Sequence, residues 1–368
     1  MRSILPVLGF SLATLAPFAL AGHADRGQSP EAKSSPAAGG TSLSWPAGLP
    51  VYDHILIVVE ENKDYDEVVG RDYAPYLNKL KAEGAGFTRM YGEEHYSQGN
   101  YFWLFSGDNQ TVGFVDQVPT AKTNPSYPFT TPNLGAQLIA KGLSFKGYAE
   151  SLPEIGFTGD KVDNIYARKH VPWISFANVP NGRTIATSSN LRFADFPKDP
   201  AGYDELPTVA FVIPNLDNDM HNCEPDKTEG CVRRGDQWLQ ENIDPYYQWA
   251  KEHNSLLIVA FDENDDLRKY TGLTNPGIDP SDPKGACEVA LIDRELCVDL
   301  ENRVLTIFAG AHIKPGEYPE GRGITHVNIL RTIEAMYGLP KAGRQQPNAA
   351  GIGISDDYLI TDVFETRP

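Results

Sequence analysis

The stretch Asp53-His54-Ile55-Leu56-Ile57-Val58-Val59-Glu60-Glu61-Asn62 sets a continuous apolar, mostly β-branched run against an abrupt polar end. A strand with one face in water alternates apolar and polar residues, whereas an unbroken run fits a strand buried on both faces. The pattern returns at Ser144 to Ala149 before Glu150, and at Thr208 to Ile213 before Pro214-Asn215-Leu216-Asp217. It returns again at Leu256 to Phe261 before Asp262-Glu263-Asn264, and at Val304 to Phe308 before Ala309-Gly310-Ala311-His312. Between these runs, apolar residues at helical spacing predict helices over Ala74 to Glu83, Leu134 to Lys141, Trp238 to His253 and Val327 to Tyr337. Alternating strands and helices predict an α/β fold, a mostly parallel, doubly wound sheet with helices on both faces. In such sheets ligands bind beyond the carboxyl ends of the strands. Polar, metal-competent residues stand at that end of strand after strand.

A chain of 368 residues with 41% hydrophobic content can bury a large core. Its 32 Lys and Arg against 49 Asp and Glu leave a net charge of -17. That charge repels polyphosphate backbones and anionic membranes, so no nucleic acid and no stable membrane anchor is expected as a partner. Residues 1–21 read as a signal peptide: Arg2, an apolar run from Ile4 to Leu20, and small residues at Ala19-Leu20-Ala21. Cleavage near Ala21 would leave a secreted or periplasmic protein. Residues 22–48, rich in Gly, Ser, Pro and Ala, read as a flexible linker, and 49–368 as a single catalytic domain. Cys223, Cys231, Cys287 and Cys297 form two close couples. In an oxidising compartment the simplest pairing is Cys223 with Cys231 and Cys287 with Cys297, out of three connectivities; a zinc site is the competing reading.

The candidate chemistry follows the strands. Asp262 and Glu263, forced together at the end of a buried strand, repel unless a shared proton or a cation relieves them, and a divalent metal is the natural relief. Glu61 and Asn62 end the first strand and offer a further carboxylate and a neutral oxygen. Asp217-Asn218-Asp219-Met220-His221 places carboxylates near an imidazole, and with His326 makes a second metal site or a phosphate pocket. Arg168 and His170, in Tyr166-Ala167-Arg168-Lys169-His170, bring basic groups toward a phosphate. His312, ending its strand, is a further group that could approach the site; His54 and His253 read as structural. In His95-Tyr96-Ser97-Gln98-Gly99-Asn100-Tyr101 a hydroxyl sits in a turn near an imidazole and a carboxamide. Read alone, Ser97 is a nucleophile or a helix cap.

Taken together, Ile57 to Asn62, His95 to Tyr101, Tyr166 to His170, Asp219-Met220-His221, Phe261 to Asn264 and Thr325-His326 resemble, in order, the motifs of the bacterial and fungal phosphoesterase family of secreted acid phosphatases and phospholipases C. That family belongs to the alkaline-phosphatase-like superfamily, and the resemblance spans about residues 53 to 340. It implies one divalent metal ion, or two, held by Glu61, Asn62, Asp262 and Glu263, with Ser97 as the nucleophile coordinated to it. It implies His95, His170, His221 and His326 around the phosphate. On chemical grounds His221 or His326 is expected to protonate the leaving group, and Asn100, Arg168, Asp217 and Asp219 are expected on the substrate side. The family usually has Pro where this chain has Tyr96 and often at Gly99. The expected function is a secreted metal-dependent acid phosphatase hydrolysing small phosphate monoesters through a phosphoserine intermediate. A phospholipase C-type phosphodiesterase, using Tyr101, Phe102 and Trp103 around a choline group, is the alternative. The short tail after Pro340 favours the phosphatase. A non-catalytic exported phosphate-ester-binding protein is the reading from another class.

Overall fold

The computed structural model of the chain describes residues 45, 46, 48–112, 116–224, 227–264, 302–351 and 353–365. The expected signal peptide, most of the linker, Cys287 and Cys297 lie outside the described residues.

Strands β1 (His54–Glu60), β2 (Ala85–Tyr91), β3 (Phe145–Ala149), β6 (Asn190–Arg192), β7 (Val209–Ile213), β8 (Ser255–Phe261), β9 (Arg303–Gly310), β10 (Gly316–Tyr318) and β11 (Ile324–Thr325) share one sheet, and β4 (Lys161–Val162) pairs with β5 (Tyr166–Ala167) apart from it. The order in the large sheet is β10-β2-β9-β8-β1-β7-β3-β6, with β11 also on β2. β1 runs parallel to both β7 and β8, and β3 parallel to β7 and β6. β7 and β8 are buried at every position and β1 at all but His54, which is why their sequences are continuously apolar rather than alternating. The expected α/β architecture with a mostly parallel sheet is therefore the one found.

One strand corrects the reading of the polar ends. β9 is antiparallel to β8 and to β2, so its start, not its end, reaches the carboxyl edge of the parallel strands. His312, following β9, accordingly lies at the opposite edge, where its Nε2 bonds Asn254 Oδ1 at 3.2 Å, just before β8 begins. It has no place near the site.

The helices are α1 (Tyr65–Val68), α2 (Pro75–Glu83), α3 (Ser97–Ser106), α4 (Leu134–Ala140), α5 (Pro200–Tyr203), α6 (Thr228–Asn242), α7 (Asp244–Ala250), α8 (His326–Met336) and α9 (Pro347–Gly351). The helix expected over Trp238 to His253 is two, because Pro245 lacks the amide hydrogen that would continue α6 and instead occupies the first turn of α7. Asp236 on α6 caps α2, accepting from Tyr76 N at 3.0 Å and Leu77 N at 2.7 Å. α3 is buried along its whole length and stops at Gly107, whose φ of 61° is the left-handed conformation glycine adopts without strain. Phe102 of α3 packs edge-on against Phe129 and Phe176. Cys223 and Cys231 form a disulfide that ties the loop after His221 to the start of α6. No helix among the described residues is long and apolar enough to cross a membrane.

Candidate active site

Neighbouring strands bring separate carboxylates to one place. Asp262 N donates to Glu60 O at 3.0 Å, and Glu61 N to Asp219 O at 2.8 Å, so the ends of β8 and β1 and the loop after β7 are laced together by backbone. Glu61, Asp219, Asp262 and Glu263 are all buried there. Asn62 joins through its backbone: its amide donates to Asp262 Oδ1 at 3.1 Å, and its φ is 53°.

Ser97 opens α3 beneath these groups. Its Oγ lies 3.0 Å from Glu61 Oε2 and 2.9 Å from Glu263 Oε1. A hydroxyl carries one proton and a carboxylate only accepts, so Ser97 can donate to one of the two at a time. The other contact is favourable only if that carboxyl is protonated or a cation lies between. Burial, with Asp116 second, pushes Glu263 up to about 8, and burial, with Glu263 second, pushes Asp262 up to about 7. Burial also holds Glu61 and Asp219 well above the usual carboxylate range, and Asp262 adds to both. One turn after Ser97, Tyr101 donates to Glu61 Oε1 at 2.6 Å and stacks on His170 with ring centroids 4.9 Å apart.

The turn before Ser97 is held from several sides. Asn100 Oδ1 accepts from Glu93 N and Glu94 N, each at 3.0 Å, and its Nδ2 donates to Glu94 O at 2.5 Å, so this carboxamide is spent on the turn itself. A methyl on Gly99 would sit 1.5 Å from Glu94 Oε1, which accounts for glycine there. Asn302, at the start of β9, donates to Glu94 O at 3.2 Å and accepts from Asn264 N at 3.0 Å. His326, the first residue of α8, has Nδ1 at 2.5 Å from Glu93 Oε2 and Nε2 at 2.8 Å from Phe261 O. Burial opposes charge on that ring, but Glu93 outweighs it and the pKa is raised. Since a carbonyl only accepts, Nε2 carries a proton that is already committed. His326 is thus a pin between the turn, β8 and α8.

The other imidazoles face the carboxylates directly. His95 Nδ1 bonds Glu263 Oε2, so Glu263 bridges His95 and Ser97. His170 Nε2 lies 3.1 Å from Glu61 Oε1, and its Nδ1 lies 3.5 Å from Asp219 Oδ2. Burial and then Lys169 drive His170 well below its ordinary pKa, and the same causes lower His221 to about 4. Both rings are therefore neutral and offer a lone pair. His221 is held by its own backbone N on Asp219 Oδ1 at 2.8 Å. Arg168 turns away to Thr158 O at 3.0 Å and Tyr127 OH at 2.7 Å, while Asp217 Oδ1 accepts from Asn222 at 2.9 Å.

Two clusters of donors meet at Glu61. Ser97, Glu61, Asp262 and Glu263 converge, and Asp262 Oδ2 is sealed from solvent without a hydrogen bond. Ligand atoms of Glu61, His170 and His221 lie within 4.8 Å of one another. The carboxylate and two imidazoles of this second cluster are a group that could hold a divalent metal ion.

Sequence reasoning passed over Lys169, which the structure brings within 3.3 Å of His221 Nε2, and Asp116, which binds it at 2.5 Å. Neighbouring Arg168 drew attention through the same basic run; a three-residue 3-10 turn, Arg168–His170, decides which side chain points inward. Tyr101 could have been found, being four residues from Ser97 on the same helix face.

Comparison with known proteins bears on the fold and the family. A solved protein of the alkaline phosphatase superfamily from Vibrio parahaemolyticus superposes with a TM-score of 0.51 at 12% identity, over 86% of this chain and 72% of that one, a likeness of fold. A phosphatidylinositol-3-phosphatase of Mycobacterium tuberculosis is 39% identical over 297 residues, covering 81% of each chain. A probable acid phosphatase of Kluyveromyces lactis is 29% identical over 85% of this chain and 68% of its own. With the phosphoesterase family model matching residues 70–340, across the turn that carries Ser97 and across Asp219, Asp262 and Glu263, though not Glu61, the chain belongs to the phosphoesterase family of enzymes.

Proposed function

We propose that the protein is an exported, metal-dependent phosphatase of the acid phosphatase type, hydrolysing phosphate monoesters with Ser97 as nucleophile. The observation that carries this reading is Ser97 Oγ between Glu61 and Glu263, 3.0 and 2.9 Å away, in a buried cluster of carboxylates. A divalent cation held by Glu61, Asp262, Glu263 and Ser97, with His170 and His221 as ligands of a second, would lower the serine pKa and offset charge on the phosphoryl oxygens. Ser97 Oγ gives its proton to Glu263 in its ionised, cation-bound form and attacks phosphorus, while the ester oxygen on the far side takes a proton from solvent water and leaves as the alcohol. Water then cleaves the phosphoserine, one of its protons going to solvent and its hydroxyl to phosphorus, and Glu263 returns its proton to Ser97. His95 on the far oxygen of Glu263 fixes which oxygen faces the serine. Phe102 is packed edge-on against Phe129 and Phe176 and Tyr101 is engaged by Glu61 and His170, which counts against the choline cage expected of Tyr101, Phe102 and Trp103. The Cys223–Cys231 disulfide supports an oxidising, exported setting, consistent with the leader and linker read in residues 1–48.

The test is hydrolysis of p-nitrophenyl phosphate and of p-nitrophenyl phosphorylcholine across the acid-to-neutral range, with and without chelator, beside Ser97→Ala. Monoester turnover lost with chelator and in Ser97→Ala supports the proposal. Preference for the choline diester would replace it with the phosphodiesterase reading.

A further inference from the structure

Beside the nucleophile lies a cation that the chemistry above leaves unused. Lys169 Nζ is nearly closed off from solvent, lies 3.3 Å from His221 Nε2, and donates to Asp116 Oδ2 at 2.5 Å. The other oxygen of the same carboxylate, Asp116 Oδ1, accepts at 3.3 Å from Gln98 N, the amide directly after Ser97. One carboxylate is thus gripped by a lysine and by the first free turn of α3, next to a serine that must meet a phosphoryl group. It is also an anion set beside Glu263, whose pKa it helps to raise, and those two donors offset that repulsion. Lys169 in turn is drawn by Glu61 as well as Asp116.

We propose that Lys169 is a ligand of the substrate phosphate, and that the Asp116 carboxylate occupies the seat of two phosphoryl oxygens until substrate displaces it. This rests on the reading of Ser97 as the nucleophile. A monoester phosphate carries two charges and three non-bridging oxygens, so it replaces both hydrogen bonds of Asp116 and meets a lysine with greater charge. A diester, with a single charge and two such oxygens, gains less from the exchange. Asp116 thereby acts as an internal competitor that favours dianionic monoesters and their product, inorganic phosphate.

The experiment uses the metal-loaded protein, with p-nitrophenyl phosphate as substrate and inorganic phosphate as competitive inhibitor. Lys169→Met is expected to raise KM and the phosphate Ki by about tenfold or more, the loss of one charge-assisted contact, with a smaller fall in kcat. Lys169→Arg is expected to recover most of that loss, and Asp116→Asn to lower both constants by about threefold, the reverse sign. Melting curves establish that each variant folds; should Lys169→Met fail to, Lys169→Arg and Asp116→Asn still decide. A phosphate Ki unmoved by Lys169→Met, or raised by Asp116→Asn, overturns the proposal. Absence of turnover by the unaltered enzyme instead defeats the phosphatase reading, while the phosphate affinity can still be read by calorimetry.

Discussion

Two clusters of buried charge lie within this domain, and they are built on opposite terms. Around Arg331 on α8, every charge is answered: its Nη1 donates to Glu334 Oε2 and to Ala342 O, each at 2.8 Å, and its Nη2 donates to Asp356 Oδ1 at 2.9 Å. Glu334 Oε1 accepts from Ala342 N at 2.7 Å. At the carboxyl edge of the sheet, Glu61, Asp219, Asp262 and Glu263 share one serine, one tyrosine and neutral imidazoles, and Asp262 Oδ2 receives no hydrogen bond. The first cluster is finished by the chain; the second is the one for which a bound cation is proposed. Buried acids in the two places therefore answer to different partners, although burial raises both Glu334, to about 7, and Glu263, to about 8.

This contrast can be broken in four ways. The largest effect is expected from Ser97→Ala, which should cut kcat by about 10³-fold or more with the fold retained, read by p-nitrophenol release beside a melting curve. An equal loss of stability would mean that Ser97 is a structural cap. Next, Arg331→Met should destabilise the domain by about 3–5 kcal/mol, because it leaves Glu334 and Asp356 without their cation; denaturant unfolding measures it. Gly99→Ala should cost about 1–3 kcal/mol, since its methyl meets the Glu94 carboxylate, and a variant as stable as the parent would show that the turn has slack.

The smallest effect has the opposite sign. In metal-free protein, folded Asp262 and Glu263 hold protons to about 7 and about 8, above their unfolded values, so their stabilising contribution is complete at acid pH and fades as pH rises through that window. Glu263→Gln removes one of those ionisations and should raise the metal-free melting temperature above neutral pH by a few degrees, about 1 kcal/mol, with no gain in acid. Added divalent metal should abolish the advantage. A Glu263→Gln variant destabilised at every pH would place the two charge clusters in one class.

Much of this was legible from residue order. Continuous apolar runs gave away the buried parallel strands, and polar residues at their ends gave Glu61, Asp262 and Glu263. Sequence could not show that β9 runs backwards, because an apolar run reads alike in both directions; His312 was misplaced for that reason. Nor could it separate Lys169 from Arg168, or show that Asn100 and His326 are used up in bracing the turn. Those distinctions depend on which way a side chain leaves a short irregular segment, and composition carries no such information. Pro245, by contrast, stood in plain view, and its effect on the helix expected over 238–253 is local.

The reversal of β9 carries a consequence for how the turn before Ser97 is held. Because β8 ends and β9 begins at the same edge, Asn264 and Asn302 stand side by side, joined by a hydrogen bond of 3.0 Å, and Asn302 also grips the nucleophile turn. The end of β8 and the start of β9 therefore meet at a single post beside Ser97. Loosening either asparagine would therefore release the end of β8, the start of β9 and the turn before Ser97 together.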